Sequence, residues 1–196
     1  MFGISYLDIS GALGLCATAL LSFNFLLGIL LSTAYKRSVY WKKLPSIIQQ
    51  ISIDRLHNWT AYLALFFVVS HPLFLLLDKE QAFTLRDILW PVAAPKQANI
   101  VMLGTISFYA LLIVIITTQK MVKKRLGFRL WKNIHLVSYA TALLFLFHGL
   151  LMDPLLKDRP TDWLDAEKFF SEFCLLLILA AMTLRIRYHF TAKANA

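Results

Sequence analysis

Four of the five histidines in this sequence lie inside long apolar segments, where ionisable side chains are unfavourable and tend to be functional. His57 and His71 are fourteen residues apart in one segment, and His135 and His148 are thirteen residues apart in another. A single intramembrane histidine often only hydrogen-bonds a neighbouring helix. Two pairs with similar spacing instead suggest imidazole ligands, because a metal held between two helices takes a ligand from each side.

The segments that carry these histidines belong to a chain with the composition of an integral membrane protein. Of its 196 residues, 59% are hydrophobic and 16% are charged, whereas soluble proteins are about half apolar and about a quarter charged. We predict an all-α integral membrane protein that forms a single domain over residues 1–196. Five apolar runs are long enough to cross about 30 Å of hydrocarbon. The predicted transmembrane helices are residues 9–33, 54–77, 99–119, 131–152 and 169–188.

The charged residues alternate between loops as the positive-inside rule describes. The first and third loops and the C-terminal tail are basic, the second loop is balanced, and the fourth is acidic. We therefore predict an N-terminus outside and a C-terminus in the cytoplasm. Because the net charge of +9 is concentrated beside apolar segments, we expect membrane lipid and no nucleic acid as partner. The acidic fourth loop fits a basic external partner, and a solvated loop is the simpler account.

With that orientation, the four histidines fall into two layers. His57 and His135 lie about one turn from the cytoplasmic ends of their spans, while His71 and His148 lie one to two turns from the outer ends. The layers are about 20 Å apart, which leaves room for two stacked macrocycles close enough for electron tunnelling. One spacing does not place both histidines on the same face of their helix, because thirteen residues leave His135 and His148 about 140° apart around it. Span four must therefore bend, carry a bulge, or present its two sites on different sides.

Three cations next to the cytoplasmic layer fit the carboxylates of a haem, which need positive partners near the membrane surface. Arg55 lies two residues before His57, and Arg129 and Lys132 lie just before His135. We predict these cations as cofactor-binding residues together with the four histidines. Anchoring of the helix ends is the alternative role for each cation.

Other features are assigned to the membrane interface. Residues 45–52 predict a short amphipathic helix on the cytoplasmic side, and His189 is expected at the cytoplasmic edge of the last span. Four tryptophans at predicted interfaces are assigned to the aromatic belt: Trp41, Trp90, Trp131 and Trp163. Neither cysteine belongs to a CxxC or CxxCH pattern, so covalent haem attachment is not expected.

The residues around both histidine pairs resemble a known family. Arg55-Leu-His57, followed by a histidine fourteen residues later, is similar to the ferric reductase-like transmembrane domain. Arg129-Leu-Trp131-Lys-Asn-Ile-His135, followed by a histidine thirteen residues later, is similar to it too. That family includes the membrane halves of NADPH oxidases and ferric reductases. It also includes the haem-binding membrane subunit of the bacterial periplasmic methionine sulfoxide reductase system.

The resemblance implies two haems b, an inner one between His57 and His135 and an outer one between His71 and His148. This is the pairing that the depth argument also gives. Family members commonly have six spans, and the oxidases add a flavin and nicotinamide domain, whereas this sequence has five spans and ends soon after the last. The resemblance therefore implies a separate cytoplasmic flavin reductase or a quinol as donor. It implies a periplasmic protein, oxygen or ferric iron as acceptor, in a plasma membrane that we expect to be a bacterial inner membrane.

The predicted function is that of a membrane b-type cytochrome, which carries electrons across the membrane through two bis-histidine haems. We expect an oxidoreductase component, and an enzyme in its own right if oxygen or ferric iron meets the outer haem. A bound flavin or quinone is a secondary expectation. Three alternatives stay open: a single-haem cytochrome subunit, a structural subunit without cofactor, and a proton channel or transporter with a histidine relay. The relay predicts acidic residues beside the histidines, and the interiors of spans two to four have none.

Overall fold

Apolar segments form helices in this protein because only a helix satisfies its own backbone polar groups in hydrocarbon. The computed structural model describes residues 5–33, 35–153, 156 and 166–194. Within those residues the α-helices are α1 (Tyr6–Leu31), α2 (Val39–Lys42), α3 (Ser46–Gln49), α4 (Ile53–Leu73), α5 (Leu85–Leu89), α6 (Ala98–Thr118), α7 (Lys120–Leu151) and α8 (Ala166–Ala194). Short 3₁₀ turns lie at Tyr35–Arg37, Phe74–Leu76 and Pro91–Ala93.

Five of these helices, α1, α4, α6, α7 and α8, are long and apolar enough to cross a membrane. The prediction of five spans is therefore confirmed, and the chain is a multi-pass membrane protein. The largest difference in bounds is at α7, which begins at Lys120 instead of residue 131 because the basic third loop continues as helix. Trp163 and most of the acidic fourth loop lie outside the described residues.

The bundle has its core where α1, α7 and α8 meet. Five buried side chains form this core: Phe25, Ala142, Leu146, Cys174 and Ile178. Outside it, α4 packs along α1, and α6 packs along α7. The backbones of α4 and α7, which carry the four histidines, scarcely approach one another within the part of the chain that is described. The histidine side chains therefore face a space between these two helices.

Gly127 separates two parts of α7. Its backbone, at φ 74° and ψ 162°, is the one non-helical position in this helix. The part before it is basic, and residues 128–151 form the span that carries His135 and His148. Because this second part is regular α-helix, a bulge does not account for the thirteen-residue spacing of the two histidines.

Helix ends are fixed by side chains that bond to free backbone groups. At α1 the Ser5 hydroxyl accepts from the Asp8 amide at 3.1 Å, and the Asp8 carboxylate accepts from the Ser5 amide at 2.9 Å. At the same end of the bundle, the buried Lys168 ammonium donates to the carbonyls of Leu150 and Met152. This contact ties the start of α8 to the end of α7, a few residues beyond His148.

The predicted interfacial helix at residues 45–52 is present but short. Only Ser46–Gln49 is helical, and Ile47 is 76% exposed. An exposed isoleucine within the basic first loop fits a helix that lies on the membrane surface.

Candidate functional site

The structure brings the four histidines together in two pairs, one ring from α4 and one from α7 in each. The ring centroids of His57 and His135 are 6.4 Å apart, with an angle of 71° between the ring planes. The centroids of His71 and His148 are also 6.4 Å apart, with an angle of 75°. These are the two pairs that the depth of the residues in the membrane led us to expect.

The separation within each pair matches two imidazoles on opposite sides of one metal ion. An imidazole nitrogen lies about 2 Å from a bound first-row metal ion and about 1 Å from its own ring centre, so such rings have centroids about 6 Å apart. Among the described residues, no group of three or more histidine, cysteine or acidic side chains is placed to hold a metal ion. A macrocycle that brings its own four ligands needs only two from the protein.

Backbone carbonyls hold three of the four histidine rings. The Nδ1 atoms of His57, His71 and His148 lie 3.0, 2.7 and 2.8 Å from the carbonyl oxygens of Asn24, Ser10 and Ile100, respectively. A carbonyl only accepts, so each Nδ1 carries the proton and each Nε2 keeps its lone pair. Metal-binding histidines typically show this arrangement, which fixes the tautomer and the ring orientation.

His135 differs from the other three histidines. Its buried Nδ1 has no hydrogen-bond partner, and neither has the buried Nε1 of Trp131. The two rings are stacked, with centroids 5.4 Å apart, and the Lys123 ammonium lies 3.7 Å from the centre of a Trp131 ring. Trp131 therefore contacts the site directly, beyond the interfacial role predicted for it. Two buried nitrogens without partners on neighbouring rings are compatible with a bound group that is not part of the chain.

The rings of His135 and His148 are held in different ways, which answers the question of their spacing. The His148 ring lies against α6, through its bond to Ile100 and its contact with Gly104. The His135 ring instead lies back against Trp131, one turn earlier on its own helix. The two rings thus leave a regular α7 in different directions while both meet a histidine of α4.

Glycines make room for three of the rings. A Cβ added at Gly104 would lie 2.8 Å from Cε1 of His148, a distance that real Cβ atoms essentially never show. Added at Gly14 or Gly28, a Cβ would lie 3.1 Å from Nδ1 of His71 or 3.2 Å from Cε1 of His57. Sequence reasoning missed these glycines. The sequence feature that could have indicated them is their spacing, because Gly14 and Gly28 are fourteen residues apart, as are the two histidines of α4.

A cavity of about 410 Å³ surrounds the His71–His148 pair. Its size lies within the range of small-molecule and cofactor sites, about 300–1,000 Å³. Its walls are mainly apolar, and Lys168 is part of the lining. A large, flat, mostly apolar group with a few charged edges suits such walls. The donor set, the unpartnered nitrogens and the glycine contacts are therefore compatible with haem.

Within the described part of the chain, the three predicted cations make no hydrogen bond with the histidine rings. Arg55, Arg129 and Lys132 are exposed near the end of the bundle that carries His57 and His135. Their role as cofactor-binding residues stays a prediction. Lys123 lies near this pair, because it contacts the Trp131 ring that stacks on His135. His189 is exposed near the end of α8, away from both pairs.

Fold and site together define a multi-pass membrane protein with two histidine pairs between its spans. A family model described as ferric reductase like transmembrane component matches residues 13–146, and the chain belongs to this family. A domain of this kind suggests transmembrane electron transfer. The match includes His57, His71 and His135, and it ends two residues before His148. No curated protein and no solved structure matches the chain.

Proposed function

We propose that this protein is a membrane b-type cytochrome that carries electrons across the bilayer by means of two haems. His57 and His135 hold one haem, and His71 and His148 hold the other. The observation that carries the proposal is that each pair has ring centroids 6.4 Å apart, the separation expected for two imidazoles that share one metal ion. When bound, haem supplies the one-electron chemistry.

The chain supplies ligands in a fixed orientation and surroundings that exclude water. Carbonyls of α1 and α6 accept from Nδ1 of three ligands and so keep Nε2 directed away from the supporting helix. Such a bond also makes the imidazole a stronger ligand. The apolar walls around His71 and His148 lower the local dielectric constant, which affects the reduction potential of an iron bound there.

The direction of electron movement follows from the proposed orientation in the membrane. With the N-terminus outside, the His57–His135 pair lies towards the cytoplasm and the His71–His148 pair lies towards the outer surface. A separate flavin reductase or a quinol then delivers electrons on the cytoplasmic side, and an external protein, oxygen or ferric iron receives them. A negative-inside potential assists this movement by up to about 2.3 kcal/mol per 100 mV for full crossing.

The experiment is to measure haem per chain and the reduced-minus-oxidised spectrum of the purified protein. We expect two haems b in the wild type and one in His135→Ala or His148→Ala. His189→Ala is the control and should keep both, since His189 is exposed outside the pairs. One haem in the wild type would favour the single-haem alternative. No haem after growth with ample haem would overturn the proposal and leave the histidine relay or a structural subunit.

A further inference from the structure

Ser10 of α1 makes a two-way contact with His71 of α4. The Ser10 carbonyl accepts from Nδ1 of His71 at 2.7 Å, and the Ser10 hydroxyl lies 3.2 Å from the same nitrogen. The hydroxyl also donates to the His71 carbonyl at 2.8 Å. Ser10 therefore contacts both the ring and the backbone of this histidine, and only 1% of its surface is exposed.

Asn24 makes the same two-way contact with His57. The Asn24 carbonyl lies 3.0 Å from Nδ1 of His57, and the Asn24 amide donates to the His57 carbonyl at 2.5 Å. The amide nitrogen also donates to the hydroxyl of Thr60 at 2.8 Å, one turn further along α4. Ser10 and Asn24 have different side chains, yet each side chain donates to the carbonyl oxygen of the histidine that it contacts.

A glycine follows each of these residues by four positions. Gly14 lies against the His71 ring, and Gly28 lies against the His57 ring. A polar residue and a glycine, four apart, therefore occur twice in α1 at a spacing of fourteen residues, the spacing of His57 and His71 in α4. Fourteen residues are two heptads, the repeat after which two supercoiled helices present the same faces to each other. The antiparallel pair α1–α4 therefore contains the same histidine-holding unit twice.

We propose that Ser10 and Asn24 are positioning residues, and that they set the ring orientations of His71 and His57 through this repeated unit of α1. The inference rests on the proposed function, since it concerns haem ligands. The bond to Nδ1 fixes the rotation of the ring, and the bond to the histidine carbonyl fixes the register of α4 on α1. Together they hold each ring steeply inclined to its partner on α7, at 71° in one pair and 75° in the other.

Electron paramagnetic resonance of the oxidised protein tests this orientation directly. Low-spin iron with two imidazoles gives a more anisotropic signal when the ring planes are steeply inclined than when they are parallel. We expect two such signals in the wild type. Asn24→Ala removes the bond to the His57 carbonyl but keeps the backbone carbonyl that accepts from Nδ1. It should change one signal only, and Ser10→Ala should change only the other.

The reduction potentials give a second readout. We expect each variant to alter the reduction equilibrium constant of one haem by about tenfold, which is about 59 mV for one electron, while the other haem keeps its potential. Asn24→Ser transfers the serine of the first unit into the second and should restore the wild-type signal and potential. Thr117→Ala is the control, because this buried hydroxyl of α6 bonds only carbonyls of its own helix, at 2.8 Å from Ile113 and 3.0 Å from Val114, and does not line the cavity.

Three results would overturn the inference: both haems change alike in either variant, neither haem changes, or Thr117→Ala changes them as much. If the Asn24→Ala protein does not accumulate in the membrane, Ser10→Ala and Asn24→Ser still test the inference. Ser10→Ala removes only one hydroxyl, and Asn24→Ser keeps a hydrogen-bond donor at position 24. Failure of the proposed function would look different, since the wild type itself would then lack the two haem signals.

Discussion

At the scale of single residues, Gly104 is the glycine that leaves the least room for a side chain beside a histidine ring. A methyl group there would lie 2.8 Å from Cε1 and 2.9 Å from Nδ1 of His148, so the ring or α6 has to move. We expect Gly104→Ala to lose most of the haem bound at the His71–His148 pair and to keep the other haem. Haem quantified per chain, with optical redox titration, is the measurement.

The control for Gly104→Ala is Gly11→Ala. Gly11 also borders the cavity, but a Cβ there meets nothing within 4 Å, so this variant should keep two haems. Retention of both haems with unchanged potentials in Gly104→Ala would show that the close contact does not matter for the site.

The histidine pairs can be predicted from the sequence, because helix rise and membrane orientation set the depth of each residue. Their supporting residues cannot be found in this way. Glycine and serine in an apolar span serve ordinary helix packing equally well. The roles of Gly14 and Asn24 become visible only when the register of α1 on α4 is known. The contact of Trp131 with His135 likewise depends on how the rings are oriented. The sequence alone therefore predicts only an interfacial role for Trp131.

At the scale of helices, Gly127 is a position that only glycine adopts without strain. Its φ of 74° with ψ of 162° lies in a region that costs other residues about 1–3 kcal/mol. We therefore expect Gly127→Ala to lower the free energy of unfolding by about that amount, although its Cβ would meet nothing within 4 Å. Thermal unfolding in detergent measures the effect against Gly11→Ala. Equal midpoints for the two variants would contradict the assignment.

The loop helix α5 depends on one carboxylate. The side chain and the backbone amide of Thr84 donate to Asp87, and these hydrogen bonds lower the pKa of Asp87 below its usual value. A lowered pKa in the folded state means that the stabilisation is present above the ordinary pKa and is lost as pH falls through the lowered one. We expect the protection factors of the α5 amides, which are corrected for the intrinsic pH dependence of exchange, to fall at acid pH and to be low in Asp87→Asn at neutral pH too. Protection that persists unchanged in acid would contradict this.

Five spans are predictable because length and hydrophobicity decide which segments cross a membrane. The start of α7 is not, because the basic residues that precede Trp131 remove the apolar signal there. Lysine, arginine, methionine and leucine nevertheless favour helix, so residues 120–126 continue it up to Gly127. Conflict between hydropathy and helix propensity explains the early start.

At the scale of the whole molecule, the proposed function depends on the orientation of the bundle. The third loop has six basic residues and no acidic one from Lys120 to Lys132, so we expect it, and with it the C-terminus, in the cytoplasm. Green fluorescent protein fused after Ala196 should fluoresce, and alkaline phosphatase fused there should be inactive. The opposite pattern would reverse the proposed direction of electron movement.

The separation between α4 and α7 has a consequence for how the protein matures. A haem bound between the histidines of these two helices, as proposed, would add to the attraction between the two sides of the bundle. A ligand present at a thousand times its dissociation constant adds about 4 kcal/mol to the native state. We therefore expect the abundance of the protein in the membrane to follow the supply of haem. We expect chains that receive none to be degraded faster, in which case haem binding between α4 and α7 would act as a checkpoint in biogenesis.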